Sequence, residues 1–307
     1  MNVLIFGGTG FIGRNLTGEL LANGYQVFVV TRNSQKTVYD LGNKLQLIEW
    51  DNISPLSSVY GLQQIDAVIN LSGESIGKCR WTNLIKEEIL ASRVRTTNAI
   101  VTAINDGFIK PKIFINASAV GYYGLCKDDE ITEADEVGQD FLAQVCLDWE
   151  NEANKVQNNL TRVVTIRIGV VLGKEGALTK MAMPFKFYLG GPIGTGNQWL
   201  SWIHIKDLAS MIRFIIEHKE IVGAINAVAP EPVRNKEFCK VLGKVLNKPS
   251  WLPVPEFLLK IALGQMAEML LHGQRVAPKK IVSSGFEFSF PKLKAAIEDA
   301  LGNRNNV

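Results

Sequence analysis

The chain has 307 residues, 47% of them hydrophobic, which suffices for one large α/β domain or a cofactor domain with a smaller lobe beside it. Its 33 basic and 30 acidic residues leave a net charge of +3 spread through the chain. That spread argues against a basic face for nucleic acid or an anionic membrane and favours a small-molecule partner. Cys79, Cys126, Cys146 and Cys239 fit neither metal-ligand spacing nor a dense disulfide framework, so they read as free thiols in a reducing compartment. From Met1 the chain enters "NVLIF" at 2–6 without a basic region or cleavage site, and no apolar run approaches the ~20 residues of a membrane span. The expected location is cytoplasmic, with no membrane partner. After the first strand come a helix from about Gly13 to Asn23, "QVFVVT" at 26–31, "LQLIEW" at 45–50 and "AVINL" at 67–71. A long helix over about 81–105, the strand "KIFINA" at 112–117, a helix over about 141–157 and the strand "VVTIRIG" at 163–169 follow. Such alternation of β-branched runs with helical periods predicts an α/β fold, a doubly wound parallel sheet with helices on both faces. Beyond Gly169 the rhythm breaks into the Gly/Pro-rich "YLGGPIGTGNQW".

The segment "GGTGFIG", Gly7 to Gly13, stands between the first strand and the first helix. There Gly7 allows a tight turn, Gly10 lets backbone approach a pyrophosphate, and Gly13 lets helix and strand pack closely. Thr9, Phe11 and Ile12 complete the turn, and the helix N-terminus adds amide donors and a positive dipole end. The spacing predicts a dinucleotide-binding Rossmann-type domain over 1–172 plus about 204–228, with a smaller C-terminal substrate lobe over about 173–203 plus 229–307. At the end of the second strand, where an acidic residue would bond the ribose of NAD, the sequence reads Thr31-Arg32. A carboxylate there would repel a 2′-phosphate, whereas a guanidinium can grip it and stack on adenine, so NADP(H) is the expected cofactor. The alternative for Arg32 is a solvated loop arginine.

Further segments are "NLSGESI" at 70–76, "SAVGYYG" at 118–124, "CLDWE" at 146–150, "RIGVVLG" at 167–173, "WIHIKDLA" at 202–209 and "LLHGQRVAPKKIVSSGFEFSFP" at 270–291. With these the chain resembles the extended short-chain dehydrogenase/reductases, the superfamily of NAD-dependent epimerases and dehydratases. More closely it resembles the branch labelled "epimerase family proteins". The resemblance implies that Leu71, Ser72 and Gly73 line the adenosine side of the cofactor, that Asp51 lies near the adenine, and that Val171 borders the nicotinamide end. It also makes Glu88 and Arg93, on the long helix, candidate contacts, although Arg93 reads equally as a solvated helix residue. A homodimer through the two long helices is a further implication.

Ordinary members of that superfamily carry Tyr-x-x-x-Lys on the helix after the serine strand, with Tyr as acid/base and Lys lowering its pKa from ~10. Here Glu150 marks the register and puts Leu142 and Cys146 in those two places, and no Tyr-x-x-x-Lys lies between Gly107 and Arg162. Ser118 keeps the serine position, and Tyr122 and Tyr123 follow in a loop expected over the nicotinamide, so Ser118, Tyr122 and Tyr123 are the candidate catalytic residues. Each phenol has a second reading, a ring on the core with a wet hydroxyl. Lys127 is a partner for a phenol only if its acidic loop is not plain solvated surface.

In "GTGNQWLSWIHIKD", 194–207, Leu200 replaces the arginine that clamps the nucleotide diphosphate in epimerases, and an isobutyl group offers phosphate no bidentate fork. Trp199, Trp202, Phe187, Met181 and Met183 suggest an apolar pocket wall or ordinary packing, His204 reads as structural, and nothing suggests a metal. The expected function is an NADP(H)-dependent oxidoreductase acting on a small, fairly apolar carbonyl or alcohol. The alternatives are an NADPH-binding sensor or interaction protein without catalysis, and a nucleotide-sugar epimerase.

Overall fold

A computed structural model describes residues 1–34, 45–59, 61–62, 64–77, 80–125 and 128–302. Cys79, Cys126, Lys127 and the polar tail at 303–307 lie outside the described residues. In chain order the first half contains β1 (Asn2–Phe6), α1 (Phe11–Ala22), β2 (Gln26–Thr31), β3 (Leu45–Glu49), β4 (Ala67–Asn70), α2 (Asn83–Asn105), β5 (Ile113–Ala119), β6 (Glu130–Ile131), α3 (Phe141–Ala153) and β7 (Arg162–Ile168). The second half adds β8 (Val170–Leu172), α4 (Ala177–Lys186), β9 (Trp199–Leu200), β10 (Trp202–His204), α5 (Ile205–Glu217), β11 (Gly223–Ala227) and β12 (Val233–Arg234). It ends with α6 (Asn235–Leu246), α7 (Glu256–Leu263), α8 (Glu268–Leu271), β13 (Arg275–Val276), α9 (Lys279–Ser283) and α10 (Leu293–Leu301).

Seven strands form one parallel sheet in the order β11-β7-β5-β4-β1-β2-β3. The strands are apolar on both faces because helices cover both. Val3 and Ile5 of β1 point to one side, where they meet Leu16 and Leu20 of α1 and Ile212 and Ile215 of α5. Leu4 and Phe6 point to the other, against Ile100 and Ile104 of α2. The order of connection reverses between β1 and β4, which leaves a crevice at the carboxyl ends of those strands.

A separate apolar cluster joins Phe185 of α4, Trp202 of β10, Phe238 and Leu242 of α6, and Ile297 of α10. It is fastened to the main sheet by the "WIHIKD" segment. Asp207, fully buried on α5, accepts the amides of Ser289 and Phe290 at 2.9 and 3.0 Å. His204 caps α5 by accepting the Lys206 amide at its Nδ1, and its ring lies on Phe290 with centroids 3.9 Å apart.

Helix ends differ from expectation by local chemistry. α1 begins at Phe11 because Gly10, in extended conformation, already serves as its cap. α2 begins after Trp81 because the Thr82 hydroxyl accepts the Ile85 amide. α3 stops at Ala153 because the chain beyond it bonds Asn105 instead: Lys155 gives its carbonyl and Gln157 its amide. No described helix is long and apolar enough to cross a membrane.

Candidate functional site

The glycine turn lies at the mouth of the crevice. Gly7 has φ +75°, and a Cβ there would come within 2.8 Å of the Leu71 carbonyl, so only glycine fits between β1 and β4. A Cβ on Gly13 would stand 2.4 Å from the Gly7 oxygen, which enforces the close approach of α1 to the turn. Gly10 differs: a Cβ there would meet only the Gly7 oxygen, at 3.3 Å, and Gly10 and Thr9 are exposed. α1 carries no side-chain cap and no acidic residue in its first turn, so its amide donors and positive dipole end are uncompensated. This cradle fits a pyrophosphate. Ile12, Leu71 and Val171 are half-buried on the sheet core beside it, and the Phe11 ring covers Gly173, where a Cβ would be 2.5 Å from the ring.

On the other side of the turn, Thr31 ends β2 and Arg32 is exposed, its guanidinium in no ion pair among the described residues. The Asp51 carboxylate is directed into its own loop. It accepts the amides of Ile53 and Ser54 at 2.8 Å and the Ser54 hydroxyl at 2.7 Å, and these bonds hold the carboxyl below the usual carboxylate range. Asp51 therefore shapes the turn after β3. Asn52 (φ 63°) ties that turn to α2 by accepting the Thr96 hydroxyl at 2.9 Å.

Past β4, the Ser72 amide donates to the Asn70 side chain, which is fixed by a buried bond to Asn116 on β5 at 2.8 Å. Gly73 lies under Arg93, where a Cβ would be 3.0 Å from the guanidinium carbon. Arg93 donates to the carbonyls of Glu74 and Ile89 and lies over the Trp149 ring, and burial holds it below its ordinary value. α2 thus brings Arg93 against the Leu71–Gly73 segment. It leaves Glu88 exposed on its outer face, 3.4 Å from Arg95.

"SAVGYYG" sits at the end of β5 and in the helical turn Val120–Tyr123. Ser118 is buried and donates its only hydroxyl proton to Glu150 Oε1 at 2.6 Å. α3 places Leu142 beside Gly121 and Cys146 beside Ser118, and burial pushes the Cys146 thiol up to about 11. Tyr123 is buried as well. Its hydroxyl donates to Asn226 Oδ1 at 2.7 Å and accepts from Arg167 Nη1 at 2.9 Å, and burial pushes the phenol up to about 12. Tyr122 is half-buried, with no hydrogen-bond partner for its hydroxyl among the described residues. Its ring packs edge-on to Tyr123 and lies 3.4 Å from the Arg167 guanidinium carbon. Its carbonyl accepts the Gly138 amide at 2.8 Å, which holds the loop in place.

Arg167 and Glu150 are the residues that sequence reasoning missed as a pair. Two parallel bonds of 2.9 Å join them, from Nε to Oε1 and from Nη2 to Oε2, with side chains 5% and 8% exposed. Burial works against the guanidinium, yet the Glu150 bonds and charge outweigh it and hold Arg167 above its ordinary value. Ser118, Arg167 and Asn226 occupy one rung across β5, β7 and β11. The signal lay in "VVTIRIG": an arginine inside a strand covered on both faces requires a buried partner.

The expected apolar wall is not assembled. Trp202 is fully buried in the second cluster, Met181 packs at its edge, and Phe187 and Met183 face outward. The Trp199 ring has the guanidinium groups of Arg234 at 3.8 Å and Arg275 at 5.3 Å from its centroid, at an open polar cleft of about 460 Å³ that also takes in Lys236 and His272. Leu200 packs on the second apolar cluster. Among the described residues no group of three or more His, Cys, Asp or Glu side chains could hold a metal ion.

Residues 3–227 match the model of the NAD dependent epimerase/dehydratase family, and residues 254–300 match a domain of unknown function, DUF1731. The chain is 41% identical over 310 residues to the epimerase family protein YfhF of Bacillus subtilis, with all of both chains covered. It is 37% identical to the human epimerase family protein SDR39U1, whose crystal structure with NADPH superposes with a TM-score of 0.89 and covers 99% of this chain and 100% of that one. A UDP-glucuronic acid 4-epimerase from Bacillus cereus, 20% identical, shares the fold at a TM-score of 0.80 over 98% of each chain. By the family match and these full-length identities, the chain belongs to the NAD dependent epimerase/dehydratase family, the extended short-chain dehydrogenase/reductases, with a DUF1731 domain after its parallel sheet.

Proposed function

We propose that the chain is an NADP(H)-dependent oxidoreductase acting on a small, fairly apolar carbonyl or alcohol, with Tyr122 as the proton donor. The observation that carries this reading is the state of three hydroxyls. Those of Ser118 and Tyr123 are spent on Glu150 and Asn226, whereas that of Tyr122 is free to meet a substrate oxygen. Gly7, Gly10 and Gly13 with the α1 amides would hold the cofactor's pyrophosphate, Arg32 would hold its 2′-phosphate, and Val171 would lie on the nicotinamide side. When bound, NADPH supplies the hydride. The NADPH in the human SDR39U1 structure supports this choice.

The proton leaves Tyr122 Oη for the substrate oxygen, and the charge left on the ring faces the Arg167 guanidinium, 3.4 Å from its centroid. Glu150 fixes that guanidinium with two bonds. Ser118 acts as a positioning residue that ties the end of β5 to Glu150, which revises its expected role as a donor to substrate. The lobe over about 173–203 plus 229–307 supplies the substrate side, and pairing of α2 and α3 between two copies completes this reading.

A second reading, a cofactor-dependent binding protein without chemistry, draws support from the engaged hydroxyls of Ser118 and Tyr123 and from Cys146 in the lysine's place. Deuterium transfer from labelled NADPH into a panel of carbonyl compounds separates the two. Tyr122→Phe should abolish transfer while leaving NADPH affinity and Tm unchanged. Tyr123→Phe should cost about 1–3 kcal/mol of stability, because buried partners lose their bond. Absence of label in every carbonyl leaves the second reading standing, and full turnover by Tyr122→Phe removes Tyr122 as the donor.

A further inference from the structure

The net charge of +3 is spread through the sequence, but the fold gathers part of it. Lys236, Lys240 and Lys244 are exposed at four-residue intervals along α6, and Lys248 follows at the same interval just past its end. Within α6 that spacing sets Lys236, Lys240 and Lys244 in one row. Lys248 follows the left-handed Asn247 that ends the helix, and its Nζ lies 3.8 Å from the centroid of the Tyr188 ring.

Tyr188 belongs to an apolar surface that the fold leaves uncovered. Phe187 is 69% exposed and Trp251 64%, and Leu189 is also exposed. The two segments are stitched together, since Trp251 Nε1 donates to the Tyr188 carbonyl at 3.1 Å and the Trp251 amide donates to Gly190 at 3.0 Å. From there the chain passes Val254, bridged to Ile193, into α7. That helix, "EFLLKIAL", has no buried residue, and Phe257 and Ile261, one turn apart, are 62% and 68% exposed. A helix apolar on most of its circumference is ordinarily buried, and this one is not.

Exposed aromatic and aliphatic groups with lysines at their rim have the chemistry that an anionic bilayer recognises. Rings enter the boundary between headgroups and acyl chains, lysine stems lie along it, and ammonium groups meet lipid phosphates. Nearby acidic groups are few on these elements: Glu237 in the first turn of α6 and Glu256 in that of α7. We propose that this face docks the protein on an anionic lipid surface, with Phe187, Trp251 and Phe257 entering the interface and the α6 lysines contacting phosphates.

The full chain, co-sedimented with vesicles, tests this. Vesicles of equal parts phosphatidylcholine and phosphatidylglycerol should carry the protein down, vesicles of phosphatidylcholine alone should not, and added salt should release it. Lys240→Gln and Lys244→Gln should each lower vesicle affinity about 5-fold. Phe257→Ser with Ile261→Ser should abolish binding without moving Tm, since both side chains are exposed. The proposal is overturned if the folded protein ignores the phosphatidylglycerol vesicles, or if the lysine variants bind like the parent. It also fails if Phe257→Ser with Ile261→Ser splits a dimer in analytical ultracentrifugation but leaves vesicle binding intact, because the face then joins two copies of the chain.

Discussion

Replacing Glu150 by Gln tests whether the charge network beneath the tyrosines is dry. Glu150 accepts Arg167 at Nε and Nη2, each at 2.9 Å, and Ser118 at 2.6 Å, with both charged side chains under a tenth exposed. A glutamine oxygen at the Oε1 position keeps both Ser118 and Nε, but its amide then faces the Nη2 donor and the Arg167 charge loses its counterion. Breaking a buried pair from one side costs about 3–5 kcal/mol, a large part of the roughly 5–15 kcal/mol that holds a protein folded. At about 2 °C per kcal/mol for a chain of this size, Tm should fall by about 6–10 °C. Thermal unfolding followed by circular dichroism at neutral pH reads the loss. Glu88→Gln is the control, because its partner Arg95 lies 3.4 Å away in solvent and such pairs contribute about 0–1 kcal/mol. Glu150→Leu combined with Arg167→Met should recover much of the stability, since neither leaves a charge behind. A Glu150→Gln protein within about 1 kcal/mol of the parent, or a double variant no better than the single one, refutes the dry network.

Three further outcomes follow from the cofactor side and the lobe junction. Gly13→Ala should lower both Tm and NADPH affinity, because the Cβ has only 2.4 Å to the Gly7 oxygen, whereas Gly10→Ala should keep Tm and lose affinity alone. Equal Tm losses in the two variants, read by thermal unfolding beside fluorescence titration, would show that Gly10 is structural. Arg32→Ala should weaken NADPH much more than NADH, and equal losses by calorimetry remove the argument for a 2′-phosphate. His204 is buried, and desolvation pushes its imidazole down to about 4, against a smaller opposing pull from Asp299. Its folded value lies below the unfolded one of ~6.5, so the unfolded chain takes up the proton first and stability falls by about 3 kcal/mol as pH drops from ~6.5 towards 4. His204→Asn, which keeps an acceptor for the Lys206 amide, should flatten that part of the Tm profile, and parallel profiles would contradict the assignment.

Six strands of the sheet are legible in the sequence, the inner five because helices cover both faces, which forces runs such as "NVLIF" and "QVFVVT". The seventh is not legible as a strand. β11, "GAINA", has a single β-branched residue and becomes a strand because β7 offers an edge, with Ile225 opposite Ile166. The glycine turn is legible for the opposite reason, since every contact that demands glycine at Gly13 lies within the turn itself. Gly7 is partly an exception, because its neighbour Leu71 comes from the segment just past β4.

The same contrast explains the site. In ordinary members of the superfamily the cation that serves the tyrosine stands four residues along the same helix, so its presence or loss is visible as spacing. In this chain the sequence assigns no lysine to Tyr122 or Tyr123. A cation on the neighbouring strand touches both phenol side chains. Arg167 is opposite Ser118 in the β5–β7 ladder, and from there its guanidinium reaches the Tyr122 ring, the Tyr123 hydroxyl and the Glu150 carboxylate at once. A partner that depends on sheet register has no spacing in the sequence. What the sequence does record is its cost: a charge inside a covered strand cannot persist without a countercharge, and α3 supplies it at Glu150, the residue that otherwise only marked where the lysine should have been.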